Sequence, residues 1–443
     1  MDQQGQEQEQ NVITIVLTAH NHLGYTIPGQ PARKREELRQ RLRRAFQQAT
    51  DFAVGQGVDL FIQAGDLFDS THPDEQDRAF VAERLAELKQ AGIRTFALSG
   101  MHDTPAVGTR LIESSDPIDL ASAILPAPTP QLSFARLGAM HYFPPLASDP
   151  GQALRPVFVE IRGTLVGLCG FSANAAQFGQ HGQAGDLLGQ MRIDSEIERA
   201  AIPLLLLSTP VEDESTASPL SSLLGQAPFR AVLAGNDHAY RRFTLGQADV
   251  IVAGATQRVD FQGPLDDAGF VFLGIAVDGV RWCRHIAVES IHLRRLAIPL
   301  AQWWSENTES VESDGSTGSI EPTARLLEEL RPLCTEDAMV QLRLTGEISR
   351  QRYHQLELSS IRRYGEAHAF AFSIDDSALT FLPGDGTAPL ASSQTTAFEE
   401  RLSPREELIA LADEWIAAAQ DEQEQKALLA TKEELLAALW STT

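Results

Sequence analysis

The sequence predicts an α/β protein of more than one domain, and three observations carry that expectation. Short apolar runs alternate with amphipathic helical patterns over about the first 290 residues, as strands and their crossover helices do. Five of the apolar runs stop abruptly at His, Asp or small polar residues. At 443 residues, the chain is also too long for one ordinary domain.

Taken in order, NVITIVLTAH reads as a strand and REELRQRLRRAFQQATDFAVGQG as a helix closed by glycine. VDLFIQAGD is a second strand, DEQDRAFVAERLAELKQAG a second glycine-closed helix, and IRTFALSG a third strand. PLLLLS, FRAVLAG, VIVAG and GFVFLGIAV are buried-strand candidates. Residues 320–382 mix the helix PTARLLEELRPL with the strand-like MVQLRLTG and AFAFSI, and residues 403–440 carry amphipathic helices without a strand signal. Three stretches lack the apolar content to fix themselves in a core. The expected organisation is therefore a disordered tail (1–11), a large α/β domain (12–290), an α+β unit (291–383) with a flexible insertion at 305–319, a linker (384–397) and a C-terminal helical segment (398–443).

Bulk properties exclude several function classes. A hydrophobic fraction of 43% with 22% charged residues is that of a soluble globular protein. No apolar run approaches the roughly 20 residues that span a bilayer, and the polar N-terminus MDQQGQEQEQN is not a signal peptide. A cytoplasmic protein is expected. Cys169, Cys283 and Cys334 are odd in number and form no CxxC pair, which argues for inert buried thiols against a zinc knuckle or disulfide framework. A net charge of -24 excludes coating of nucleic acid by general electrostatics. Any DNA contact must be local or supplied by a partner.

The strand endings are where chemistry gathers: TAHNHLG, AGDLFDS, LSGMHDTP, LLSTP and LAGNDHAY. Ligands of open α/β sheets collect beyond the carboxyl ends of the strands, so these five endings should converge on one site. Asp66, the spaced pair His20 and His22, His102 and His238 stand at these endings, where side chains of their type can serve a site. The ordinary alternatives are a turn cap for Asp66 and plain polar turn residues for the histidines. Asp69, His72 and Asp237 read as surface turn residues without a role.

These motifs resemble the calcineurin-like metallophosphoesterases and, within them, the SbcD-type DNA repair exonucleases, whose motifs run DxH, GD, GNH(D), a lone His, GHxH. GATQRVDF at 254–261 is similar to the family's PGS-type turn, and LRLTGEISRQRYHQL is more weakly similar to the segment after its nuclease domain. The resemblance covers most of residues 12–290. It implies a metallophosphoesterase β-sandwich flanked by helices, followed by a small α+β capping domain and C-terminal helices.

Carried over residue by residue, DxH falls on His20 and His22, with His in place of Asp, and the Asp of GD falls on Asp66. GNHD falls on Met101, His102 and Asp103, with Met in place of Asn. The lone His falls on Ser208, and GHxH on Asn236 and His238. By the family pattern, one metal would be held by His20, His22, Asp66 and His238, all of which can coordinate. The second would need Met101, Ser208 and Asn236 beside Asp66. A thioether, a hydroxyl and an amide cannot replace an Asn and two imidazoles around a hard dication. The implied cofactor is one divalent metal (Zn, Fe or Mn), and a three-His, one-Asp set favours Zn or Fe over Mg. His102 matches the family's catalytic His, with Asp103 expected to orient its ring.

ARKREELRQRLRR concentrates positive charge on one helix. At helical spacing Arg35, Arg39 and Arg43 share a face, as do Arg41 and Arg44. This is either a DNA phosphate-contacting patch, to which Arg241 and Arg242 could add, or a solvated face partly neutralised by Glu36 and Glu37. The resemblance further implies a homodimer that joins an SbcC-type, SMC-like ATPase with a long coiled coil and acts on double-stranded DNA ends. The stripe Leu408, Leu411 and Trp415 suits helix-in-groove binding of a partner or packing on its own domain. Three functions follow: a pseudonuclease scaffold for DNA ends and an ATPase, a single-metal phosphodiesterase, or a full exonuclease with three ligands replaced from elsewhere. Hydrolysis of a phosphoester outside nucleic acid stays open beside them. The scaffold is the expectation.

Overall fold

The computed structural model describes residues 12–104, 129–145, 153–172, 191–211, 219–235, 237–261, 263, 268–308 and 322–382, with Leu429, Thr431 and Lys432 beyond them. The chain separates into two compact units, Met1–Pro383 and Gly384–Thr443. Leu408, Leu411 and Trp415, like Asn236, lie outside the described residues.

The first unit opens with β1 (Ile13–Thr18), α1 (Ala32–Gln56), β2 (Leu60–Ala64), α2 (Glu75–Gln90) and β3 (Arg94–Leu98). Glycine closes α1 as the sequence requires, Gly57 sitting in the left-handed region at φ 60°. Asp74 caps the start of α2 by accepting the N–H of Asp77 at 2.8 Å. After α3 (Pro130–Arg136) come β4 (His141–Phe143), β5 (Ala153–Leu154), β6 (Val157–Ile161), β7 (Thr164–Phe171) and β8 (Arg192–Ile193). Then follow β9 (Ile202–Leu207), α4 (Pro219–Leu224), β10 (Ala231–Ala234), β11 (Arg241–Leu245), β12 (Ala248–Val252), β13 (Gly269–Ala276) and β14 (Gly279–Ala287).

Twelve of these strands make two six-stranded sheets, ordered β14-β13-β1-β2-β3-β4 and β11-β12-β10-β9-β7-β6, while β5 pairs with β8. Strict alternation along each strand explains why they stack. In β1, Ile15 and Leu17 face the second sheet, where they join Leu204, Leu206, Leu233 and Ile251. Val16 faces the other way, onto Leu38, Leu42 and Phe46 of α1 and Val81 and Leu85 of α2. The outer face of the second sheet packs Leu205, Val232 and Val250 against Leu220 and Leu223 of α4. The expected β-sandwich flanked by helices is what forms.

A third sheet follows, β15 (His292–Pro299), β16 (Ala338–Ile348) and β17 (Ala371–Phe381), all parallel. It is backed by α5 (Leu300–Thr308), α6 (Pro322–Leu330), α7 (Arg350–Gln355) and α8 (Leu358–His368), with Trp303, Leu326, Leu330 and Val340 in its core. Among the described residues no helix is long and apolar enough to cross a membrane. Cys169 and Cys334 are buried, and Cys283 is only half-buried, its thiol 3.7 Å from the Tyr240 hydroxyl.

Candidate metal centre

The carboxyl ends of β1, β2 and β3 in one sheet meet those of β9, β10 and β12 in the other. Ala19, just past β1, bridges to Ala255, just past β12. Gly235, at the end of β10, touches β2 so closely that a Cβ there would lie 2.1 Å from the Ala64 carbonyl oxygen. Only glycine admits that approach. The two turns after β1 and β2 are laced together by backbone bonds from His20 N to Gly65 O and from His22 N to Asp66 O, both 3.0 Å.

His20, His22 and Asp66 all hold left-handed backbone, at φ 48°, 45° and 54°. Each such residue costs of order 1 to 3 kcal/mol and persists only where its surroundings demand it. The strain turns three side chains inward at one spot. His20 Nδ1 lies 3.2 Å from both His22 Nε2 and Asp66 Oδ2. His238 closes the cluster edge-on, 4.5 Å from His20 between ring centroids, and ligand nitrogens of His20, His22 and His238 all lie within 4.8 Å of one another.

These residues fit a metal ion. Burial pushes His20 down to about 4, so its imidazole is neutral near pH 7. Burial alone would raise Asp66, but the His20 hydrogen bond, the neighbouring imidazoles and the N–H of His102 overcome it and hold the carboxyl well below the usual range. A neutral imidazole beside an ionised carboxylate is the protonation pattern metal binding requires. His20 Nε2 is buried without a hydrogen-bond partner.

Carboxylates behind the rings fix their direction. Asp260, after β12, lies 2.9 Å from His238 Nδ1. Asp69 sits between two rings, its Oδ1 3.1 Å from His22 Nδ1 and 3.3 Å from His102 Nδ1. His22, Asp69 and His102 also place ligand atoms within 4.8 Å of one another, yet here the carboxylate accepts from both imidazoles and so acts as an orienter. The Asp69 hydrogen bond raises His102 above the ordinary histidine range, against the effect of burial. Neither Asp69 nor Asp260 is marked as functional by sequence reasoning. The first lies in a turn that reads as superficial. The second lies 22 residues beyond its partner, with only the GATQRVDF likeness as a signal. His72 and Asp237 are turn residues as expected: His72 is exposed, and Asp237 accepts the Ala239 N–H and pairs with Arg241.

Asp103 does not orient His102. It is fully buried and faces away, with Oδ1 accepting the Gly100 N–H at 2.7 Å and Oδ2 accepting those of Leu67 and Phe68 as well as the Gln131 amide. It ties the turn after β3 to the turn after β2. Burial and the nearby Asp66 charge raise its carboxyl to about 7.

The positions that the resemblance assigns to a second metal look different. Met101 is 47% exposed and points out of the cluster. Ser208 is buried at the end of β9, so close to Gly65 that a Cβ there would meet its own at 3.0 Å. Of the basic helix, Arg39 pairs with Asp74, Arg43 with Asp77, and Arg41 with Glu37 beneath the Phe370 ring. Arg35 and Arg44 are exposed, while Arg241 and Arg242 pair with Asp237 and Asp249.

The DNA double-strand break repair protein Mre11 of Methanosarcina mazei is 32% identical over 116 residues, which is 26% of this chain and 18% of that protein. The Mre11 of Halobacterium salinarum is 23% identical over 338 residues, 75% of this chain and 70% of the other. The chain is thus similar in sequence to Mre11-type repair proteins, and its two-sheet sandwich is consistent with a calcineurin-like metallophosphoesterase fold. It spans less than a fifth of the length of the Methanosarcina relatives it matches, 18% and 14%. No protein-family model matches it. A dimetal phosphatase from Danio rerio aligns over 62% of this chain and 99% of its own, at 14% identity and a TM-score of 0.31. Such a likeness implies use of a divalent metal, and His20, His22 and His238 gather beside Asp66 at the rim of the sandwich.

Proposed function

We propose that the chain is a nuclease-like subunit of Mre11 or SbcD type that holds one divalent ion, engages double-stranded DNA ends together with an SMC-like ATPase, and cleaves feebly or not at all. The observation that carries this reading is the split between the two halves of the centre. His20, His22 and His238 place ligand nitrogens within 4.8 Å of one another beside Asp66, while Met101 turns to solvent and Ser208 carries no ligand nitrogen. A single bound ion would act as a Lewis acid on a phosphate oxygen but would lack the paired clamp of two ions roughly 4 Å apart. Asp66 and the three imidazoles hold the ion, with Zn or Fe favoured by the nitrogen-rich set. His102, held through Nδ1 by Asp69, presents its other nitrogen at the half-exposed mouth. The homodimer belongs to the same proposal, and so does the helical segment 398–443 as a partner-binding element.

The acidic chain and the internal ion pairs of Arg39, Arg41 and Arg43 leave Arg35 and Arg44 as the local candidates for phosphate contact. A second reading, a slow single-metal phosphodiesterase, is favoured by His102 standing beside the cage with a raised proton affinity. Binding to linear duplex, in competition with the same DNA as a closed circle, tests the scaffold. The expected result is end-dependent binding that His102→Ala leaves intact, with little product in either protein. Equal affinity for circle and ends would sink end recognition, and product that grows steadily with wild type but not with His102→Ala would favour the phosphodiesterase.

A further inference from the structure

His238 differs from the other cage residues. His20, His22 and Asp66 are buried and set by left-handed backbone, whereas the His238 side chain is 26% exposed with φ in the ordinary range. Something else must fix its ring. Its Nδ1 meets Asp260 Oδ2 at 2.9 Å. The other Asp260 oxygen accepts the N–H of Gly263 at 2.7 Å. The carbonyls of Gly263 and Phe261 both accept from one nitrogen of Arg295, at 2.7 and 2.6 Å. Arg295 stands on β15, and its Nε donates to Gln341 of β16 at 3.2 Å. An unbroken run of hydrogen bonds thus leads from the third sheet to the last cage residue.

We infer that Arg295 and Asp260 are positioning residues through which the third sheet sets the metal affinity of the sandwich. This rests on the one-ion reading of the cage. A carboxylate on Nδ1 fixes the tautomer of a ligating imidazole, aims Nε2 and makes it more basic. Asp260 can do so only if its turn is held, and the turn is held from outside the sandwich by a planar guanidinium with donors in a rigid fork. Arg343 supplies an internal control. It lines the same cleft of about 840 Å³ as Asp260, Phe261 and Arg295, but its guanidinium pairs with Asp375 at 3.5 Å.

Zinc affinity of the full chain, measured by competition with a chromophoric chelator, tests the inference. Asp260→Ala should weaken binding about 10-fold or more, the range for a lost outer-shell partner. Arg295→Ala should weaken it about 3- to 10-fold, since it acts two hydrogen bonds further away. Arg295→Lys should fall between, since an ammonium can reach a carbonyl without the fork, and it serves if the alanine variant does not fold. Arg343→Ala should stay within about two-fold of wild type. Substituted cobalt gives the readout that a merely structural role would not move. Its visible spectrum should change in Arg295→Ala and Asp260→Ala, and match wild type in Arg343→Ala. Unmoved affinity in Asp260→Ala and Arg295→Ala, or an equal loss in Arg343→Ala, overturns the inference alone. A wild-type chain that takes up no zinc overturns the cage reading and this inference with it.

Discussion

The two sides of the proposed metal centre differ sharply in this protein. On one side His20, His22 and Asp66 keep costly left-handed backbone and lie buried, with Asp69 behind His22 and Asp260 behind His238. On the other, Met101 and Ser208 have ordinary φ, one facing solvent and one packed as a small residue under Gly65. Among the described residues only Arg162 and Glu357 share the left-handed, non-glycine geometry. Strain is therefore present at three of the candidate ligands and absent at Met101 and Ser208. That pattern favours a working site over a remnant, because left-handed residues without a task are ones that a more permissive residue could replace.

The largest expected effect is on the kept side. Asp66→Asn tolerates the left-handed backbone but removes the anion, so metal affinity should drop by about 100-fold or more, read by dialysis and elemental analysis. Retention of the ion in that variant would break the contrast. Next comes a gain: Met101→Asn, Ser208→His and Asn236→His together restore the missing donor types and should raise the metal content to two ions per chain. A folded triple variant that still takes one ion would mean that packing, not ligand loss alone, closed the second site.

Two adjacent residues sharpen the comparison further. A Cβ at Gly100 would lie 2.4 Å from the Asp66 carboxyl carbon, so Gly100→Ala should lower stability by about 1 to 3 kcal/mol and loosen the ion. Met101→Ala, one position on, should change stability by no more than about 0.5 kcal/mol. Denaturant midpoints compare them, and equal losses would deny that the two sides differ.

The smallest effect concerns His102. Its folded-state proton affinity is raised by Asp69, so its protonated form contributes stability that is full below the unfolded value of about 6.5 and is lost as pH rises through the higher folded value. In the metal-free chain Asp69→Asn should bring the ring's NMR midpoint down toward about 6.5. An unshifted midpoint would remove Asp69 as the orienter.

Much of the kept side is legible in the amino-acid sequence. The ends of β1 and β2 stand out because an apolar run stopping at His or Asp is a local signal, and GDLFDS is specific. The rest depends on what only three dimensions bring together. Asp103 follows His102 and invites the expectation that it serves that ring, yet neighbours in a tight turn point apart, and Asp69 from another strand end does so instead. Helical spacing groups Arg39 and Arg43 but cannot foresee Asp74 and Asp77 at the start of the next helix. The central strand β7 gives no clear signal because its Gly167 and Gly170 blur a strand pattern. Both are there to admit neighbours, since a Cβ would lie 2.8 Å from Ile197 at the first and 2.2 Å from the Phe143 ring at the second.

One measurement bears most directly on the split centre: the number of metal ions bound per chain of purified wild-type protein, counted beside digestion of linear duplex DNA with Mn. The account predicts one ion, bound by His20, His22, Asp66 and His238, and little or no digestion. Two ions per chain with brisk digestion would contradict it.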